Sequence, residues 1–258
     1  MRNYNKLFKY FIICLKLQCR QYIAIFFSLF FPIILTIIFV SGLGRTLNTE
    51  GFNFIDKYFF VAVTLSIVAS TTLSIPLSFS FDLKLGYLKQ LKLLNVNPIV
   101  FKFIDVVVSI LVIYVQILIL LSFSYAIYGL KIVSIKNVTL FLMLLLPGII
   151  SISFLGTAIA LLLKKPESFM PIGMTFMMLL LALSGCLGFD PTTINNSISN
   201  IYKYLPSYYL ANPMYNVWNG LDFPLKSYFL SCLTFLGLGV MFFGLTALIN
   251  KKRRNQYG

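Results

Sequence analysis

Side chains able to carry covalent or proton-transfer chemistry are sparse in this chain, and their positions argue against most catalytic roles. There is no histidine, and the aspartates and glutamates, seven in all, fall in loops or at the ends of apolar runs, as Asp82 and Asp105 do. A membrane hydrolase needs a Ser, His, Asp or metal cluster that those runs do not supply. A secondary transporter or proton pump usually carries an ionisable group near the bilayer midplane, so an ion-coupled mechanism is disfavoured, with backbone-coordinated sodium left open. No glycine is followed by lysine, which removes the loop that grips nucleotide phosphates. Cys14, Cys19, Cys186 and Cys232 lack metal-ligand spacing and read as small apolar residues.

What remains is contact chemistry. The stretch Asp82 to Lys102, DLKLGYLKQLKLLNVNPIVFK, interrupts two long apolar runs with charge. Leu83, Tyr87, Leu91 and Leu94 recur at i, i+4, i+8 and i+11, with Leu88 beside them, while Lys89 and Lys92 point elsewhere. The spacing predicts a short amphipathic helix that stops before Pro98, either a handle for a soluble partner or a solvated interfacial loop. Ala62, Ser66, Ser70, Ser74 and Ser78 form a small-residue stripe that lets another helix approach. Nearby Thr64, Thr71 and Thr72 either face a cavity or bond back to their own helix, and Pro76 predicts a kink. Met170, Met174, Met177 and Met178 are flexible apolar groups suited to a cavity wall or to filling gaps, and Phe27 and Phe31 face either lipid or cavity.

The elements that position these residues are membrane helices. Of the 258 residues 59% are hydrophobic and 11% charged, and the mean hydropathy of +0.90 is far beyond that of a soluble domain. Six spans are expected, at 22–40, 58–81, 104–128, 138–163, 169–189 and 227–249. Ahead of them, 1–20 sets Tyr4, Leu7, Phe8, Phe11, Cys14 and Leu15 on one helical face, and Arg2, Lys6, Lys9, Lys16 and Arg20 on the other. Such a helix lies in the headgroup plane with its basic side toward anionic lipid. The net charge of +14 is concentrated in 1–20, 82–102, Lys164–Lys165 and 251–254, which predicts both termini on the cytoplasmic side and makes nucleic acid an unfavoured partner. The segment 190–226 holds Pro191, Pro206, Pro213 and Pro224 among aromatics, with a short amphipathic helix expected over 194–204. It reads as an interfacial loop whose Tyr202, Tyr204, Tyr208, Tyr209 and Trp218 form an aromatic belt, as an outer gate, or as both.

The basic amphipathic start, six spans, Gly86-Tyr87-Leu88-Lys89-Gln90-Leu91 running to Asn97-Pro98, Ser184-Gly185, Tyr204-Leu205-Pro206-Ser207-Tyr208-Tyr209-Leu210 and Asn219-Gly220 together resemble the type-2 membrane subunits of ATP-binding-cassette exporters. The chain departs from that family in carrying Asp82-Leu83-Lys84-Leu85 where glutamates often precede the glycine. The resemblance implies an all-α polytopic fold and a single transmembrane domain over 1–258. In it, 1–20 (Lys6, Lys9, Lys16, Arg20) is the connecting helix. The region 82–102 (Leu83, Tyr87, Leu88, Leu91, Leu94) is the ATPase-coupling element, and 190–226 is an outer re-entrant region with Pro206, Tyr208 and Tyr209 at its gate. Phe27, Phe31, Thr64, Thr71, Met170, Met174 and Met177 are the candidate cavity wall. The chain would bind no cofactor itself; ATP and Mg would sit on two cytosolic ATPase subunits, with a second permease completing the transporter. The expected activity is export, by alternating access, of an amphipathic or lipophilic cargo, a peptide toxin, antimicrobial peptide or drug, from a bacterial cell. Alternatives are export of lipid or lipid-linked polysaccharide, an ion-coupled carrier, and a non-transporting sensor or anchor.

Overall fold

Inside hydrocarbon no water is present to satisfy the backbone, so an apolar run must close its own hydrogen bonds. The computed structural model describes residues 2–19, 22–43, 54–93, 96–187 and 201–256, and every regular element among them is helical. The amphipathic α1 is Arg2–Cys19. Helix α2 (Tyr22–Ile25), a π-helical turn (Phe26–Phe30) and α3 (Phe31–Leu43) run on without a break, as do α4 (Phe54–Ala69), a second π turn (Ser70–Ser74) and α5 (Ile75–Lys84). There follow α6 (Tyr87–Leu93), α7 (Pro98–Tyr128), α8 (Ile135–Leu163) and α9 (Pro166–Leu183), then a 3-10 turn (Tyr202–Tyr204), α10 (Pro206–Ala211), α11 (Met214–Asn219) and α12 (Leu225–Gln256). The expected helix over 194–204 lies outside the described residues except for that 3-10 turn.

Among the described residues, five helices are long and apolar enough to cross a membrane: Ile55–Lys84, Val100–Tyr128, Ile135–Leu163, Pro166–Leu183 and Leu225–Leu248. The first expected span is represented by a shorter apolar helix, Phe26–Gly42. Boundaries differ from the hydropathy reading where caps decide them. Pro98 and Pro166 open α7 and α9, because a proline at a helix start loses no hydrogen bond. The run expected over 169–189 therefore begins three residues early, and it ends at Leu183, where the chain turns through Gly185 at φ +79°. Ser134 caps α8 by accepting from the Lys136 N–H at 3.3 Å, and Lys164 closes it in the left-handed conformation at φ 63°.

The second span is the post around which the others pack. Over its most apolar window 83% is enclosed by the rest of the chain, against 28% to 44% in the other four. Its interruption has a physical cause: Pro76 has no N–H to offer the preceding turn. The helix widens just ahead of it, so that the Ile75 N–H donates to the Ser70 carbonyl five residues back. The expected kink site is thus a π turn. Helix α8 lies against it at Gly156, where a Cβ would come within 2.8 Å of the Pro76 ring and 2.9 Å of the Thr71 carbonyl oxygen. Helix α8 in turn packs along α12, and Tyr228 enters its backbone just after Pro147. The Gly148 N–H donates to the Tyr228 hydroxyl at 2.9 Å, and that hydroxyl donates to the Leu144 carbonyl at 2.6 Å. The phenol replaces a bond of the helical ladder.

Candidate functional site

Three groups of residues stand out: the hairpin between the second and third spans, a polar seam beside the π turns, and the folded segment 201–220. In the hairpin, α5 stops at Lys84 and the chain reverses through Leu85 and Gly86. Gly86 sits at φ +64°, a conformation that glycine adopts without a Cβ penalty. Its carbonyl then accepts from the Gln90 N–H at 3.3 Å in the first turn of α6. The break corrects the sequence reading, because Leu83 ends the second span and does not share a helix with Tyr87 and Leu91.

The face expected to meet a partner is turned into the chain. Leu91 is 5% exposed and packs with Cys14 of α1 and Phe101 and Val108 of α7. The Tyr87 ring meets Phe101 edge-on at 5.7 Å, and Tyr10 meets it at 5.9 Å. Burial raises the Tyr87 hydroxyl pKa and pushes that of the Cys14 thiol up to about 12. Leu85, Gln90 and Leu93 are exposed, Leu93 at 84%. The Leu88 side chain and Leu94 lie outside the described residues. The apolar side of α1 is divided in the same way. Phe11 and Cys14 pack inward, whereas Phe8 and Leu15 stay exposed, so the helix is apolar on two sides. Lys9 and Lys16 are exposed; the Lys6 side chain and Arg20 are outside the described residues.

A charged clasp closes the hairpin. Lys102 on α7 pairs with Asp82 on α5 and with Asp105 at 2.8 Å, and its ammonium lies 4.2 Å from the centre of the Phe79 ring. These side chains are only 12%, 22% and 10% exposed, for Lys102, Asp82 and Asp105, so each charge depends on its partners for the solvation it has lost. The two aspartates read in sequence as isolated charges at span ends. The signal available there was the i, i+3 spacing of Lys102 and Asp105. A second ion pair, Lys84 with Glu167, links the second span to the start of α9, and both side chains are about half exposed, so it contributes little by itself.

Beside the two π turns the small-residue stripe becomes a polar seam. The Gln116 side-chain amide donates to the Ser28 hydroxyl at 2.9 Å, and its oxygen accepts from the Ser70 hydroxyl at 3.3 Å. Ser66 donates to the Ser28 carbonyl, and Gln18 of α1 donates to Ser109. Gln18, Ser28, Ser70, Ser109 and Gln116 line a cavity of ≈ 40 Å³, with Ser74 also on its wall. Pairing of this kind removes the cost of burying each polar group among apolar spans.

The candidate cavity residues sit in different surroundings. Thr64 and Thr71 are fully buried, and their hydroxyls donate back to the Phe60 and Ile67 carbonyls at 2.8 and 2.7 Å. Met177 is buried, while Phe27, Phe31, Met170 and Met174 are half-buried. Phe27 and Phe31 stand 5.8 Å apart and flank the same core as Met174.

Segment 201–220 folds back into the bundle. Pro206 and Tyr209 are buried and Tyr208 is half-buried, and α10 packs against α4. The Tyr209 hydroxyl donates to the Lys203 carbonyl at 3.0 Å, and burial raises its pKa. The Tyr202 and Tyr208 rings meet at a tilt with centroids 4.4 Å apart, Tyr208 and Tyr209 edge-on at 5.4 Å, and Tyr209 and Tyr228 at a tilt at 5.9 Å, a run of rings leading to the phenol inserted in α8. Ser184 at the end of α9 lies 2.6 Å from the Ser207 hydroxyl, and its carbonyl accepts from the Asn212 amide at 2.9 Å. Trp218 is 2% exposed, within 6 Å of the Phe59, Phe60 and Phe141 rings, and donates to the Lys131 carbonyl at 2.8 Å. It is a core residue of this end, in contrast to its assignment to an interfacial belt.

No curated protein matches the chain. Residues 10–218, which include the clasped hairpin, the polar seam and α10 to α11, match the family model described as ABC-2 type transporter. With several apolar helices long enough to span a membrane, the chain belongs to the ABC-2 type transporter family as a multi-pass permease subunit.

Proposed function

We propose that this permease is the membrane half of an ATP-driven exporter for an amphipathic peptide, toxin or drug, working as a dimer of permeases with two separate ATPases that bind ATP and Mg. The observation that carries the reading is the construction of the hairpin. Helix α6 is held to α1 and α7 by Tyr87 and Leu91, and its base is clasped by Lys102, while Leu85, Gln90 and Leu93 are left exposed. A short helix fixed on one side and open on the other transmits a push from a soluble subunit to the ends of the second and third spans. Leu85, Gln90 and Leu93 are therefore the contact side, and Tyr87 and Leu91 act as positioning residues.

Six spans, with 22–43 as the first, put the basic residues of α1, the hairpin, Lys164–Lys165 and α12 on one side of the membrane, which is the cytoplasmic side of a bacterial cell. The half-buried Phe27, Phe31, Met170 and Met174 become cavity wall once a second permease faces them. Segment 201–220 acts as the outer gate through Pro206, Tyr208 and Tyr209. The test is reconstitution of the permease with a candidate ATP-binding-cassette subunit from the same genome in sealed vesicles of inverted orientation. ATP-dependent accumulation of a fluorescent cationic amphipathic peptide is expected. Accumulation of a short-chain phospholipid analogue in its place, or uptake driven by an ion gradient without ATP, contradicts the peptide exporter.

A further inference from the structure

At the end of the bundle that carries α6, α8 packs against both the second span and α12, while the second span and α12 stay apart. They leave a groove of ≈ 540 Å³ lined by Leu83, Leu161, Lys164, Phe243, Thr246 and Ala247. Four of these six are apolar, and Thr246 offers no free donor because its hydroxyl donates to the Phe242 carbonyl at 2.8 Å. Among the described lining residues Lys164 is the charged one, held at φ 63° at the end of α8, and the exposed Lys165 follows it. Helix α12, which forms the opposite wall, continues for about two turns past Ala247 into Lys251, Lys252, Arg253 and Arg254. An apolar slot between membrane helices, bordered by lysines where those helices end, is complementary to one kind of molecule, with an apolar chain and a negative head.

The geometry points to a binding site for an anionic phospholipid between the second span, α8 and α12, with an acyl chain along Leu83, Leu161, Phe243 and Ala247 and the phosphate at Lys164. Leu83 is one residue from Lys84, whose partner Glu167 begins α9. A lipid seated there braces three helices at the point where the hairpin leaves the bundle. It also acts where the second span joins the coupling element, so occupancy sets how firmly the base of the hairpin is held. The site needs neither the ATPase nor a cargo, so it stands or falls separately from the transport reading.

The test uses the purified full chain, stripped of lipid and re-exposed to phosphatidylglycerol or phosphatidylcholine of identical acyl chains, with bound lipid counted by native mass spectrometry. Wild type is expected to retain phosphatidylglycerol roughly fivefold better than phosphatidylcholine for each basic residue engaged. Lys164→Asn together with Lys165→Gln removes the charge, and asparagine tolerates the left-handed backbone, so folding is preserved while the preference falls toward unity. Ala247→Trp fills the slot and is expected to reduce retention of both lipids. Equal retention of the two lipids by wild type, or an unchanged preference in the double variant, overturns the site. So does an Ala247→Cys variant that cross-links efficiently between two copies of the chain, since the groove would then be an interface between permeases.

Discussion

The phenol of Tyr228 does the work of a backbone group. Its hydroxyl accepts from the Gly148 N–H and donates to the Leu144 carbonyl, in a part of α8 where Pro147 has already removed one donor. Tyr228→Phe strands both groups in an apolar setting and is expected to lower stability by about 1–3 kcal/mol, read as a drop in melting temperature in detergent. An unchanged melting temperature would mean that the ladder of α8 closes without the phenol. Cys14 gives a second test at this scale. Burial raises its thiol pKa from 9.0 to about 12, so the folded chain holds a proton that an unfolded chain releases. The packing of α1 on α7 is therefore unaffected below about pH 9 and weakens as the pH climbs from 9 toward 12. Melting curves across that window should fall more steeply for wild type than for Cys14→Ala; parallel curves contradict the assignment.

Among the elements, the hairpin is the one whose chemistry the sequence conveyed only in part. Periodicity identified Tyr87 and Leu91 as neighbours on one face, and Pro98 correctly marked where that helix could not continue. It did not say which neighbour the face would meet. That depended on Phe101, ten residues away across a turn, and on Cys14, whose own face on α1 was also ambiguous. Gly86 was visible as a glycine, but its positive φ, which separates Leu83 from the rest, is a property of the turn. The serine stripe of the second span was legible at its four-residue spacing, whereas Gln116, its partner, was a lone amide in an apolar run. The long helices were legible because hydropathy over twenty residues leaves few alternatives. Their ends were not, because Pro98, Pro166 and Gly185 act locally and outside a hydropathy window. Lys102→Met leaves Asp82 and Asp105 buried without their cation and is expected to cost about 3–5 kcal/mol, measured by chemical or thermal unfolding in detergent. A loss below about 1 kcal/mol would mean that water reaches the carboxylates and the clasp holds nothing.

At the scale of the molecule, the chain places its charged, basic and amphipathic elements at one end and a tightly packed aromatic plug at the other. The second span connects them, touching the hairpin through Asp82, the polar seam through Ser66 and Ser70, and the plug through Phe59 and Phe60. A force on α6 is delivered to that span, and its π turn at Ser70–Ser74 is the point along it where the helical ladder is already loosened. The central claim is that the exposed side of α6 receives that force from an ATPase. The most direct measurement compares wild type, Leu93→Asp and Leu91→Asp for co-purification with the ATP-binding-cassette subunit and for ATP turnover, with melting temperature recorded for each permease alone. The account predicts that Leu93→Asp keeps the wild-type melting temperature yet loses association or turnover at least tenfold, whereas Leu91→Asp loses stability as well. Wild-type association and turnover in Leu93→Asp would contradict it.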